Sequence, residues 1–184
     1  MAEEIKGLDG LVTASKQISI AIGLLNQTIS TAFPGSPVGQ IPGTTTNGNA
    51  TAGNVGEYIS STVLSGAAVS LTTATSANVT SISLTGGDWD VWGTVGFVAN
   101  VATTATIFEG GISLTTNTLP ISPGGGAYAQ FGLSMAAGAT EPVFPVGSTR
   151  ISLSTTTTVY LVVQSTFAVN SMAAFGFIAA RRRR

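Results

Sequence analysis

The 184-residue chain lacks cysteine and histidine, and only 8% of its residues are charged. Without cysteine there is no thiol nucleophile, no disulfide framework and no cysteine-containing zinc site. Without histidine there is no Ser-His-Asp relay and no histidine general base. Because these groups are missing, we expect no enzymatic activity and no bound cofactor or metal.

The shortage of charge is the next absence. Seven basic and eight acidic residues nearly cancel, whereas roughly a quarter of the residues of an average soluble domain are charged. A surface with so little charge is expected when much of it is buried between identical subunits or in a larger assembly. The chain is nevertheless too apolar to be disordered as a whole.

Long apolar runs are also missing. The most apolar N-terminal run, residues 18–25, is much shorter than the roughly 20 apolar residues that cross a bilayer. The first residues, Met1-Ala2-Glu3-Glu4, are acidic where a signal peptide is basic. We therefore expect a protein that is made in the cytoplasm and has no membrane partner.

Residues 1–33 have the apolar pattern of a helix. Alternating steps of three and four residues place side chains on one heptad seam. Its members are Leu8, Leu11, Ser15, Ile18, Ile22, Leu25, Ile29 and Ala32. Isoleucine occurs at both the a and the d positions of this heptad seam, which favours a three-stranded coiled coil. Since an isolated helix of this length is marginal in water, the segment is predicted to oligomerise or to anchor the chain. The alternative is one amphipathic helix packed on its own domain.

Two further parts follow this helix. Residues 34–56 are rich in proline, glycine, threonine and asparagine, which predicts a linker. Residues 57–184 contain frequent β-type segments with glycine-rich turns and no convincing helix, which predicts an antiparallel, jelly-roll-like β-sandwich. The predicted strands are Tyr58–Leu64, Ala68–Thr72, Asn78–Leu84, Trp89–Ala99, Thr104–Leu114, Ala127–Met135, Arg150–Leu153, Thr158–Thr166 and Ala173–Ala180.

Alternation along these strands divides their side chains between two faces. One face of residues 89–98 shows Trp89, Val91, Val95 and Phe97, and the glycines between them indicate a bulge or a close backbone approach. The last strands are nearly uncharged on both faces. This is expected if one face packs in the core and the other against a neighbouring subunit.

Few residues are candidates for chemistry. Asp88 and Asp90 point to the same face of a strand, where two carboxylates can bind calcium or act as an acid and a base. No neighbouring residues supply the other ligands, so we expect Asp88 in a turn and Asp90 on a solvated face. The basic run Arg181–Arg184 is too small a footprint for nucleic acid. It is predicted to solubilise the last strand and to prevent edge pairing, and no nucleic-acid partner is expected.

Two stretches of the β-rich part share a pattern with a known family. The first, residues 56–93, ends in Gly87–Gly93 (GDWDVWG), and the second, residues 150–182, ends in Phe175–Arg182 (FGFIAARR). Together they resemble a C-terminal domain of small virion proteins of tailed bacteriophages. The resemblance implies a fibre or decoration protein that trimerises through a β-sandwich knob, similar to the trimeric jelly rolls of complement C1q and tumour necrosis factor. It supplies no binding residues to transfer.

The sequence thus predicts a homotrimeric structural protein of a phage virion, assembled in the host cytoplasm. Residues 1–33 attach it to the major capsid protein or another virion component, residues 34–56 space it, and residues 57–184 form the knob. A head fibre or capsid decoration is favoured over a short tail fibre, because residues 1–33 are too few for a folded tail adaptor. The alternative is an adhesin knob that binds a receptor or a host-surface glycan. Its candidate sugar platforms are Trp89, Trp92, Tyr128 and Tyr160. For surface binding in general, the candidates are Trp89, Trp92, Arg181 and Arg182.

Overall fold

The computed structural model describes residues 12–25, 46–120, 127–136 and 142–184. The chain divides into two compact units, Met1–Gly48 and Asn49–Arg184. The second unit, called the β unit below, begins inside the predicted linker. This is because the side-chain amide of Asn49 donates to the Tyr58 carbonyl at 2.7 Å and accepts from the Tyr58 N–H at 2.8 Å.

In the first unit, residues 12–25 form a helix within the segment predicted to be helical. Its large apolar side chains are all more than half exposed: Val12, Ile18, Ile20, Ile22, Leu24 and Leu25. Ile18, Ile22 and Leu25 belong to the predicted seam and share one face of the helix. Leu8, Leu11 and Ile29 lie outside the described residues, so oligomerisation through the seam stays a prediction. In the described ranges no helix is long and apolar enough to cross a membrane.

Nine strands make up the described part of the β unit. They are β1 (Tyr58–Val63), β2 (Val69–Ser70), β3 (Ala77–Leu84), β4 (Gly87–Ala99), β5 (Thr104–Ser113), β6 (Tyr128–Met135), β7 (Val143–Leu153), β8 (Thr157–Ala168) and β9 (Met172–Arg182). A 3-10 turn, Ser65–Ala67, separates β1 from β2. Each strand coincides with a predicted one to within two residues at either end, except at the start of β7.

The strands form two antiparallel sheets in the order of a jelly roll. Sheet A has the order β1-β9-β4-β7 and sheet B the order β3-β8-β5-β6. β2 pairs with β9 just beyond β1, so β1 and β2 act as one interrupted strand. The pairs β1·β9, β3·β8, β4·β7 and β5·β6 are nested, as in an antiparallel ribbon rolled into two Greek keys. The predicted β-sandwich with a jelly-roll-like order is confirmed.

The core lies between the two sheets. Trp89, Val91, Val95 and Phe97 of β4 are fully buried, so the face that these four residues share is the inner one. Phe97 packs edge-on against Phe108 of sheet B, with ring centroids 5.1 Å apart. Burial of each such side chain contributes about 1.5–3 kcal/mol, so inward residues of both sheets hold the sandwich together.

β7 starts at Val143 rather than at the predicted Arg150. Its pairing with β4 shifts register midway, and one extra residue in a strand moves the following side chains to the opposite face. Accordingly, even-numbered residues such as Phe144 face the core before the bulge, and odd-numbered ones such as Ile151 after it. Pro145 also argues against a central strand. It is tolerated because β7 is the edge strand of sheet A.

The glycines of β4 mark close approaches to β9, as predicted. A Cβ atom at Gly93 would lie 2.8 Å from the carbonyl oxygen of Phe177, and one at Gly96 would lie 2.3 Å from the ring of Phe175. Both distances are shorter than a normal contact. Glycine is therefore required at Gly93, where the obstacle is backbone, whereas at Gly96 a side chain would require the Phe175 ring to move.

Candidate functional site

The five arginines of the β unit lie together at one end of sheet A, which we call the arginine end. The strand β9 ends with Arg181 and Arg182, and Arg183 and Arg184 follow it. Arg150 lies on β7. Glu57 immediately precedes β1, and Asp88 and Asp90 lie at the start of β4. Since β1 and β4 both run antiparallel to β9, they begin where β9 ends. The pairing thus sets the arginines against acids that are distant in sequence.

Arg182 is the buried member of the arginine end. Its Nε donates to Glu57 Oε2 at 2.9 Å, and the two side chains are only 4% and 7% exposed. Its terminal nitrogens donate to the Gly86 carbonyl and the Thr85 hydroxyl, and its guanidinium carbon lies 4.2 Å from the centroid of the Trp89 ring. The prediction of Arg182 as a surface-binding residue is therefore wrong, because its charge is used inside the fold.

Trp89 is buried in the same way. Its ring is completely shielded from solvent, and its Nε1 donates to the Thr85 carbonyl at 3.0 Å. The prediction of Trp89 as a surface platform is wrong, because odd-numbered residues of β4 face the core.

Asp88 is shared between two arginines. Its Oδ1 accepts from Arg150 Nε at 2.7 Å, and its Oδ2 lies 3.1 Å from Arg184 Nε. The hydrogen bond from Arg150 holds the pKa of Asp88 below its ordinary value, and the same bond raises the pKa of Arg150. Asp88 therefore stays ionised near neutral pH and is unsuited to act as a general acid.

Asp90 and Arg183 form an exposed pair with Oδ2 and Nε 3.3 Å apart and side chains 43% and 55% exposed. Such pairs contribute about 0–1 kcal/mol. Because Asp88 and Asp90 each engage an arginine, they are not a free acid–base pair. Across the described ranges, no group of three side chains is arranged to hold a metal ion.

Arg181 differs from the other four arginines. It is exposed, and its Cα is the register partner of Asp90 in β4 and of Tyr58 in β1. Within the part of the chain that the structure describes, its side chain forms no ion pair or hydrogen bond. Arg181 is therefore exposed, and its predicted part in surface binding stays a prediction.

An aromatic pair lies beside Arg181. Trp92 of β4 and Tyr58 of β1 flank β9, with ring centroids 6.1 Å apart and planes inclined by 46°. Ala179 of β9 is the register partner of Trp92 and is fully buried although it faces outward. Trp92 is half-buried and Tyr58 is 40% exposed, so both rings offer surface. Tyr58 was not among the residues predicted for surface binding, because its place beside Arg181 depends on the pairing of β1 with β9.

The remaining aromatic candidates lie on the other sheet. The Tyr128 hydroxyl donates to Glu109 Oε1 at 2.6 Å, and burial together with this bond raises the pKa of Tyr128 to about 12. Tyr160 is half-buried on β8. Because both belong to sheet B, they do not join Trp92 in one platform, and binding of a host-surface glycan stays a prediction.

Beyond the aromatic pair, the outer face of sheet A has no charged side chain among the described residues. We call this surface the apolar face. Its members are Thr62, Leu64, Thr94, Gly96, Val98, Ala173, Phe175 and Phe177. It contains an open groove of about 610 Å³ that the turn after β1 borders. Leu64 at the edge of the groove is 71% exposed.

No family model and no curated protein matches the chain. A structure of the Gx strain of infectious bursal disease virus aligns at 13% identity and a TM-score of 0.43, covering 69% of this chain and 32% of that one. T=1 particles derived from a mutant VP2 protein of that virus align at 19% identity and a TM-score of 0.37, covering 68% and 29%. A VP2 subviral particle aligns at 19% identity and a TM-score of 0.32, covering 68% and 30%.

The chain therefore spans about a third of the length of these viral structures. At such identities and TM-scores, the jelly-roll assignment rests on the strand order of this chain itself.

Proposed function

We propose that the protein is a structural component of a tailed-phage virion, a homotrimeric head fibre or capsid decoration. The supporting observation is the apolar face. The solvated face of an antiparallel sheet is normally polar, and an extended apolar surface marks a contact with another molecule. Phe175 and Phe177 lie on this face next to the groove. Their partial exposure fits an interface in which a second copy of the chain packs against this face.

The helix of residues 12–25 supplies the second element of the proposal. Its seam residues Ile18, Ile22 and Leu25 are exposed, so they are available to partner helices or to the particle. We place attachment to the major capsid protein or another virion component in this N-terminal segment, with the β unit projecting. Three weak contacts of one trimer then act together, and their combined affinity exceeds that of each contact. The proposal includes no enzymatic role and no cofactor.

The oligomeric state tests the interface. We expect the full chain to form a trimer at micromolar concentration in native mass spectrometry and light scattering. Phe177→Glu introduces a charge into the apolar face and should give a folded monomer. Ser81→Glu introduces the same charge at an exposed position of sheet B and should leave the trimer intact. A stable wild-type monomer, or a Phe177→Glu variant that remains trimeric, would contradict the proposed interface.

Particle composition tests the virion role. A chain without residues 1–33 should be strongly depleted from purified particles although its β unit folds. Equal incorporation of the shortened and full chains would refute attachment through this segment. An image of the intact particle that locates the chain distinguishes a head from a tail position.

A further inference from the structure

The arginine end has an outward surface that the folding of the chain leaves unused. We propose that Tyr58, Trp92 and Arg181 form a second docking site, which binds an acidic protein surface of the particle. This inference rests on the proposed virion role and adds a partner surface distinct from both the apolar face and the N-terminal helix.

The first argument is the composition of the site. Tryptophan, tyrosine and arginine are the residue types enriched among those that dominate binding energy at protein interfaces. Arg181 and Tyr58 are register partners on adjacent strands, so their Cβ atoms lie about 4.5–5.5 Å apart on one face. Trp92 lies two residues after Asp90, the partner of Arg181 on β4, and therefore points to the same face. The three side chains thus form one contiguous patch.

The second argument is the charge. Arg150, Arg182, Arg183 and Arg184 each pair with a carboxylate of the same chain, whereas Arg181 has no such partner within the described ranges. Counted over side chains, the arginine end holds five arginines against Glu57, Asp88 and Asp90, an excess of two positive charges. An exposed guanidinium binds a carboxylate through two parallel hydrogen bonds. An excess this small suits an acidic protein surface better than nucleic acid, which requires many phosphate contacts.

The third argument is the position of the site. The chain enters the β unit at the arginine end, since Asn49 bonds Tyr58 and the N–H of Gly56 donates to the carbonyl of Arg182 at 3.0 Å. If the segment before Asn49 is held by the particle, the tether joins the β unit at this end. The patch then lies beside the point of attachment.

Particles that carry variant chains test the site. Arg181→Gln removes one positive charge from the patch, and Trp92→Leu removes a flat ring while keeping an apolar cover over Ala179. Ser81→Glu changes the net charge by the same amount on sheet B and serves as the matched control. Copies of the chain per particle are counted by quantitative mass spectrometry after sedimentation at increasing sodium chloride concentration.

We expect Arg181→Gln and Trp92→Leu to reduce retention at least tenfold at a salt concentration where wild type and Ser81→Glu remain bound. Retention of both patch variants at the wild-type level would overturn the inference. An equal loss of retention in Arg181→Gln and Ser81→Glu would also overturn it, because that result reports net charge alone. So would release of the chain by nuclease or glycosidase treatment, because that result reports a different partner. Absence of the wild-type chain from particles would instead refute the proposed virion role.

Discussion

Arg182→Met removes one partner of the most buried ion pair described. The carboxylate of Glu57, only 7% exposed, then remains in the fold without its guanidinium. The bonds to Gly86 and Thr85 and the contact with Trp89 are lost as well. Removing one partner of a buried pair costs about 3–5 kcal/mol. For a unit of this size, such a loss lowers the melting temperature by about 10–20 °C.

A double-mutant cycle separates the ion pair from the other contacts of Arg182. Glu57→Gln keeps an acceptor for the N–H of Gly53, which donates to Glu57 Oε2 at 2.8 Å, and should cost about 1–3 kcal/mol. The variant with both changes contains no unpaired buried charge. We therefore expect its loss of stability to be smaller than the sum of the single losses by about 1–3 kcal/mol.

Urea unfolding followed by tryptophan fluorescence measures all of these free energies, because Trp89 contacts Arg182 directly. Arg183→Met is the matched control. It removes an arginine from an exposed pair with Asp90 and should cost less than about 1 kcal/mol. A loss below about 1 kcal/mol for Arg182→Met, or strict additivity in the double variant, would refute the assignment of this pair as a buried, coupled interaction.

Three other predictions follow from the contacts. The pKa of Asp88 is lowered, so its contribution to stability is present above its unfolded pKa near 3.8 and is lost as the pH falls through the lower folded value. Asp88→Asn should therefore reduce the fall in melting temperature at acid pH, measured by calorimetry. The raised pKa of Tyr128, about 12, predicts that Tyr128 ionises late in an ultraviolet titration and that Glu109→Gln lowers its pKa. The associated stability is present below the unfolded pKa of about 10 and is lost as the pH rises through about 12. Gly176→Ala places a Cβ 2.5 Å from a carbonyl oxygen of β4 and should cost about 1–3 kcal/mol or more in urea unfolding, whereas Gly132→Ala, with no atom within 4 Å, should be nearly neutral.

The strands were predictable because alternation and turn residues are local signals. Trp89 through Phe97 alternate without interruption, and the structure places their odd-numbered side chains in the core. β7 was not fully predictable, because its bulge reverses the alternation between Phe144 and Ile151. Pro145, acceptable on an edge strand, further concealed its first half. The order of strands within each sheet has no comparable local signal.

The ion pairs of the arginine end depend on that strand order. Glu57 and Arg182 are 125 residues apart in sequence, and they meet only because β1 and β9 are neighbours. The sequence identified Arg181–Arg184 as unusual but left their partners unknown. Likewise, the alternation along β4 already places Trp89 and Trp92 on opposite faces of the strand. Only the fold shows which of the two faces is turned to the core.

The distribution of charge connects the two proposed surfaces. Eight of the ten charged residues after Asn49 lie at the arginine end, and the apolar face of the same sheet has none among the described residues. A closed trimer around one axis orients its three chains in the same direction, so packing through the apolar face directs three arginine ends to one end of the assembly. Three copies of the Tyr58, Trp92 and Arg181 patch then act together. Because each patch has only a small charge excess, strong attachment depends on the trimer, and loss of the apolar interface in Phe177→Glu should weaken particle binding even though the patch itself is unchanged.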